Sequence, residues 1–140
     1  LDLAAAMPIG KEGGESVRKE ARVVVNAFYP ASGDHLQIFD MARKLEKKYP
    51  GKVVVNCYDI RDPINKPEDF RLYRESGLTC AGIQVNGNSD WMVKVNGKLT
   101  EVSLLRSPWV GGWTEEELDA VVAQALEETS AKSATEGPRR

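Results

Sequence analysis

Cysteine and histidine are nearly missing from this chain: Cys57, Cys80 and His35 are the whole complement in 140 residues. Two thiols so far apart exclude a disulfide-stapled scaffold, and the sequence has no cluster of four Cys or His ligands that would mark a zinc site. No apolar run approaches the roughly 20 residues that span a bilayer, and Leu1-Asp2-Leu3-Ala4-Ala5-Ala6 lacks the basic start of a signal peptide. Charge of one sign is missing too. The 19 basic and 21 acidic side chains leave a formal charge of -2, which sets up no field that favours nucleic acid or an anionic membrane, so neither is expected as a partner. Asp59, Asp62, Glu68 and Asp69 lack the regular spacing of a calcium loop and read as a solvated loop and a charged first helical turn. Gly10-Lys11-Glu12-Gly13-Gly14 lacks the Gly-Lys-Ser/Thr ending of a phosphate loop. The sequence therefore asks for no metal and no cofactor.

What is present is the pattern of one α/β domain. Residues 1–20, rich in Gly, Ala, Glu and Lys, read as an N-terminal arm; residues 21–128 read as the domain; residues 129–140, small and polar, read as a disordered tail. The chain starts with Leu rather than Met, which suggests processing, truncation or a removed tag. The expected compartment is the cytoplasm or, with an N-terminal segment removed, an exported location, and the oligomeric state stays open.

Residues 22–29, Arg-Val-Val-Val-Asn-Ala-Phe-Tyr, are β-branched and aromatic, as expected of a strand covered on both faces in a parallel sheet. Asp34 is the expected cap of a helix whose Leu36, Ile38, Phe39, Met41, Ala42, Leu45 and Tyr49 form a buried stripe. Pro50-Gly51 stops it, and residues 52–58 form a second buried strand, completing a right-handed βαβ unit. Pro67, followed by Glu68 and Asp69, opens a short helix anchored by Phe70 and Tyr73. Three short strands follow, punctuated by Asn86-Gly87 and Asn96-Gly97, the strongest short-range hairpin signal, and predict a meander. Thr114 and Glu117 make a capping box ahead of a last helix with Leu118, Val121, Val122, Ala125 and Leu126 at helical spacing.

This order resembles the thioredoxin-like superfamily over roughly residues 22–127. Phe28-Tyr29 is similar to the aromatic end of the strand that feeds that family's active-site turn. Residues 77–87, ending in Asn86-Gly87, are similar to the segment that enters its third core strand, and Trp113-Thr114-Glu115-Glu116-Glu117-Leu118 resembles the start of its terminal helix. The resemblance implies a single mixed sheet, a parallel βαβ unit plus an antiparallel hairpin, with flanking helices.

Three departures concern chemistry. Where the family carries Cys-x-x-Cys, Ser32-Gly33-Asp34-His35 stands, so no dithiol can close there. The family's buried acid is replaced by Ala27, and its cis-proline by Ala81, for which a trans peptide is expected because a cis bond without proline costs about 2.5–4 kcal/mol. The resemblance also places the first strand between the second and third. That sets Cys57 and Cys80 two strand spacings apart, roughly 9–10 Å, beyond the ~7 Å a disulfide tolerates.

The leading expectation is a binding or accessory domain without dithiol redox activity. It would engage a protein or peptide through Tyr29, Ser32, Asp34, Thr79, Ala81 and Trp109 on the vestigial active-site face. The first alternative is a single-cysteine thiol oxidoreductase or thiol-transfer enzyme, with Cys80 activated by a helix N-terminus and by His35 as general base. The second is a structural domain of a larger envelope-associated protein. Cys57, inside an apolar strand, reads as an inert core thiol. Trp109, on a Pro-Gly-rich loop, is either an interface anchor or a plug that pins its own loop.

Overall fold

The structure, a computed structural model, describes residues 22–136; the expected N-terminal arm lies outside the described residues. Strand β1 (Val23–Tyr29) is followed by helix α1 (His35–Lys48), β2 (Val53–Asp59), helix α2 (Pro67–Glu75), β3 (Gly82–Val85), β4 (Asp90–Val95), β5 (Lys98–Ser103), a 3-10 turn (Pro108–Val110) and helix α3 (Glu115–Glu136). The last helix runs on through residues that the sequence reading assigns to a polar tail.

β1 pairs in parallel with β2 and antiparallel with β3, so the sheet order is β2-β1-β3. Alternation along β1 decides which face carries the core. Val23, Val25, Ala27 and Tyr29 are all fully buried against Ile38, Ala42 and Leu45 of α1 and Leu118, Val121, Val122 and Ala125 of α3. Each such Val, Leu or Ile side chain contributes about 1.5–3 kcal/mol by leaving water. The opposite face is covered only at one end. There Phe28 stacks on Tyr58 with ring centroids 4.9 Å apart and meets Tyr73 of α2 at 5.9 Å. Further along, Val24 and Asn26 stay half-buried, which corrects the expectation of a strand covered on both faces. The reason is the size of α2, which has 9 residues and buries none of them.

The two Asn-Gly pairs turn the chain as their composition predicts, with φ of 51° and 84° at Asn86 and Gly87 and 53° and 80° at Asn96 and Gly97. The single mixed sheet does not form. β4 and β5 make a second, two-stranded sheet, joined to the first by isolated bridges, Gly82 to Leu105 and Val85 to Asn88. The segment after β5, rather than β4, takes the open edge of β3: Ile83 N–H donates to Leu104 O at 2.8 Å and Arg106 N–H to Ala81 O at 2.8 Å. Gly82 makes this approach possible, because a Cβ there would lie 2.9 Å from Leu105 Cδ2 and 3.1 Å from Leu104 O. Gly82→Ala is therefore expected to destabilise the domain by about 1–3 kcal/mol, the overpacking range, because the Leu105 methyl can move aside but the backbone of Leu104 and Leu105 must shift as well. A urea melt checks this, and an unchanged midpoint would mean that the two segments are not held together.

The capping box forms as expected: Thr114 Oγ1 accepts from Glu117 N–H and Glu117 Oε1 from Thr114 N–H, both at 3.0 Å. Asp34 does not cap α1. It sits in the right-handed helical region (φ -66°, ψ -19°) with no side-chain cap bond, and the preceding turn is closed instead by His35 N–H to Ser32 O at 3.1 Å. A cap residue needs an extended backbone to fold its side chain over the first turn, and here the chain is already helical. Of the tryptophans, Trp113 joins the core at 1% exposure, whereas Trp109 stays 46% exposed.

Candidate functional site

The turn after β1, the residues before β3 and the turn after β5 border an open cavity of about 330 Å³ lined by Tyr29, His35, Cys80, Ala81, Arg106, Ser107 and Val110. Tyr29, the last residue of β1, is its fully buried floor. Its hydroxyl donates to Arg106 O, and Trp113 Nε1 lies close to that hydroxyl without an aligned hydrogen bond of its own. Burial pushes the Tyr29 phenol far above its ordinary value, so it stays a neutral donor at any physiological pH. The His35 ring stacks over it, centroids 5.7 Å apart.

Arg106 is held in the left-handed region at φ 65°, where a residue with a Cβ is strained. Its backbone is fixed on both sides, by the Tyr29 hydroxyl at its carbonyl and by Ala81 O at its N–H. Ser107 follows in extended conformation (φ -134°, ψ 159°) and is 6% exposed.

Asp59 fixes the other wall. It ends β2 in register with Tyr29 and is 4% exposed. Its Oδ1 accepts from Ala31 N–H at 2.9 Å and Arg61 N–H at 3.0 Å, while Oδ2 receives no aligned hydrogen bond and faces Lys66 Nζ at 3.2 Å. Burial raises the Asp59 carboxyl, but the bonds from Ala31 and Arg61 and the Lys66 charge outweigh it and hold the group below its ordinary value. Asp69 Oδ2 in turn accepts from Asp59 N–H at 2.9 Å. Reading these aspartates as a solvated loop was wrong for Asp59: the carboxylate is a buried latch on the turn that leads to His35.

The expected site residues divide. Tyr29, His35, Cys80 and Ala81 meet in the cavity. Ser32 lies half-buried in the turn, Asp34 and Thr79 are exposed beside it, and Trp109 stands on the 3-10 turn whose Val110 lines the cavity. Arg106 and Ser107 escaped the sequence reading as site residues, and Asp59 was set aside there as part of a solvated loop. For Asp59 a signal existed: a lone carboxylate closing an apolar parallel strand, with Arg61 and Lys66 just beyond. For Arg106 and Ser107 there was none, since their role depends on contact with Tyr29 across the chain.

Both cysteines are free. Cys57 lies on β2, with β1 between it and β3, and burial pushes its thiol up. Among the described residues no peptide bond is cis, no group of three His, Cys, Asp or Glu is placed to hold a metal, and no helix is long and apolar enough to cross a membrane. In a second groove, between α1 and α3, Lys48 pairs with Asp119 at 2.7 Å and Lys44 with Glu115 at 3.6 Å. No protein-family model matches the sequence, and no curated protein matches it.

Proposed function

We propose that this chain is a thioredoxin-like binding domain without dithiol chemistry, which engages a protein or peptide at the cavity floored by Tyr29. The observation that carries the reading is the cavity itself: it gathers the turn after β1 and the residues before β3, holds one thiol, and is lined by exposed Val110, next in the chain to exposed Trp109. The strand order β2-β1-β3 supports the fold half of the reading. Tyr29 and Ala81 would form the apolar floor, Ser32, Asp34 and Thr79 the polar surround, and Trp109 the anchor.

Titrating short peptides into ¹⁵N-labelled protein tests this. Amide shifts are expected at Cys80, Ala81 and residues 106–110, with Trp109→Ala weakening binding by about tenfold, the effect of losing an aromatic anchor of 1–2 kcal/mol. Cys80→Ser is expected to leave binding unchanged. Shifts confined to other surfaces would sink the reading.

Because Cys80 and His35 line the same cavity, single-cysteine thiol chemistry is the second reading. Its test is the alkylation rate of Cys80 against pH in a Cys57→Ser background. A thiolate titrating well below the free-cysteine value of about 8.5 would favour it over binding. A slow reaction without such a transition would leave Cys80 as packing.

A further inference from the structure

We propose that Arg106, Ser107 and His35 form a carboxylate-recognition subsite in this cavity, which takes the C-terminal residue of a peptide; the proposal rests on the binding reading above and names what is bound. Three features of the site point to an anion. First, the lining holds Arg106 and His35 and no Asp or Glu, and among the described residues Arg106 enters no ion pair. Second, Ser107 lines the same cavity, where its hydroxyl is a neutral donor that can face a carboxylate oxygen. Third, the strained backbone of Arg106 (φ 65°) is held in place by the Tyr29 hydroxyl and by Ala81 O. Strain of this kind, about 1–3 kcal/mol, persists where the surroundings over-determine it, and it clusters at binding sites.

The size and sign of the site select the ligand. One permanent guanidinium matches a monoanion and leaves a phosphate dianion undercompensated. The remaining lining, Tyr29, Cys80, Ala81 and Val110, is uncharged and mostly apolar or aromatic, and about 330 Å³ lies at the small end of ligand cavities, which run from about 300 to 1,000 Å³. A C-terminal residue carries its carboxylate and its side chain on one carbon, so a small apolar side chain can rest against Ala81 and Val110 while the carboxylate meets Arg106 and Ser107. An internal Asp or Glu holds its carboxylate at the end of a stem, with chain continuing in both directions.

The probe is fluorescein-Gly-Gly-Ala-Val with a free C-terminus, compared with the same peptide amidated and with a capped peptide carrying one internal Asp. Binding is read by anisotropy, and the site by amide shifts. The free acid is expected to bind at least about tenfold more tightly than either control, the effect of one charge-assisted bidentate contact. Arg106→Gln should abolish that preference, Arg106→Lys should keep part of it, and Ser107→Ala should reduce it, with urea midpoints showing each variant folded. Equal binding of acid and amide at the cavity residues, equal binding of the internal-Asp peptide, or an undiminished preference in Arg106→Gln overturns the subsite and leaves the peptide-binding reading standing. Absence of any shift at Cys80, Ala81 and residues 106–110 overturns both.

Discussion

Tyr29→Ala is expected to lose about 3–5 kcal/mol of stability, the usual cost of emptying a large aromatic site in a packed core. The ring is fully buried and packs edge-on to Phe39 at 6.4 Å as well as under His35, so the surrounding helices cannot simply collapse into the space. Against a total stability of about 5–15 kcal/mol for a small domain, this brings the chain close to unfolding. Loss of binding in this variant would therefore report folding rather than contact. Tyr29→Phe separates the two: it keeps the ring and removes only the hydroxyl that donates to Arg106 O. Leaving that carbonyl without its partner is expected to cost about 1–3 kcal/mol. The backbone amides of Arg106 and Ser107 should shift while those of β2 stay in place. Urea denaturation followed by tryptophan fluorescence gives the energies, since Trp113 lies beside the hydroxyl. A Tyr29→Phe midpoint equal to wild type would mean that the hydroxyl does not hold Arg106.

That single contact also marks the limit of what the sequence reveals. The features visible beforehand were those whose cause is local. Asn86-Gly87 and Asn96-Gly97 adopt positive φ because the turn chemistry sits in the two residues themselves, and the Thr114–Glu117 box forms because both partners lie within one helical turn. The apolar runs of β1 and β2 were equally plain, but how far the second face of the sheet is covered depends on the length of α2, which no residue in β1 encodes. The partner of β3 was misread for a similar reason. An Asn-Gly turn specifies that the chain reverses, not that the returning strand stays paired, and Gly82 lets residues 104–106 take the open edge instead. Half of the site was legible, as Tyr29, His35, Cys80 and Ala81, because it lies at the ends of elements that the pattern located. The other half, Arg106 and Ser107, follows β5 and becomes part of the site only through the hydroxyl of a residue 77 positions earlier.

Asp59→Ala should be the most informative change outside the cavity, with an expected loss of about 2–4 kcal/mol at neutral pH, because two backbone N–H groups lose a charged acceptor. Ala31 and Arg61 are those donors, and Ala31 opens the turn that delivers His35 to its stack on Tyr29. Asp59→Asn, which retains one acceptor oxygen but not the charge facing Lys66, should fall between wild type and Asp59→Ala. The pH dependence has a definite sign. The folded carboxyl is held below its ordinary 3.8, so its stabilisation is complete above that value and disappears as pH falls through the folded pKa. The gap in stability between wild type and Asp59→Ala should thus stay constant from pH 7 to about pH 4.5 and narrow below the ordinary value. Asp62 and Glu68 are also held low, by Asn65 and by Arg71 respectively, and they titrate in the same acid range. The difference between the two proteins cancels their contribution, which the wild-type curve alone does not. A gap that persists unchanged to pH 2 would assign the loss to packing rather than to the ionised latch. The same variant should weaken peptide binding at pH 7 while leaving α3 intact, since the freed turn at residues 30–35 carries one wall of the cavity and the capping box of α3 lies elsewhere.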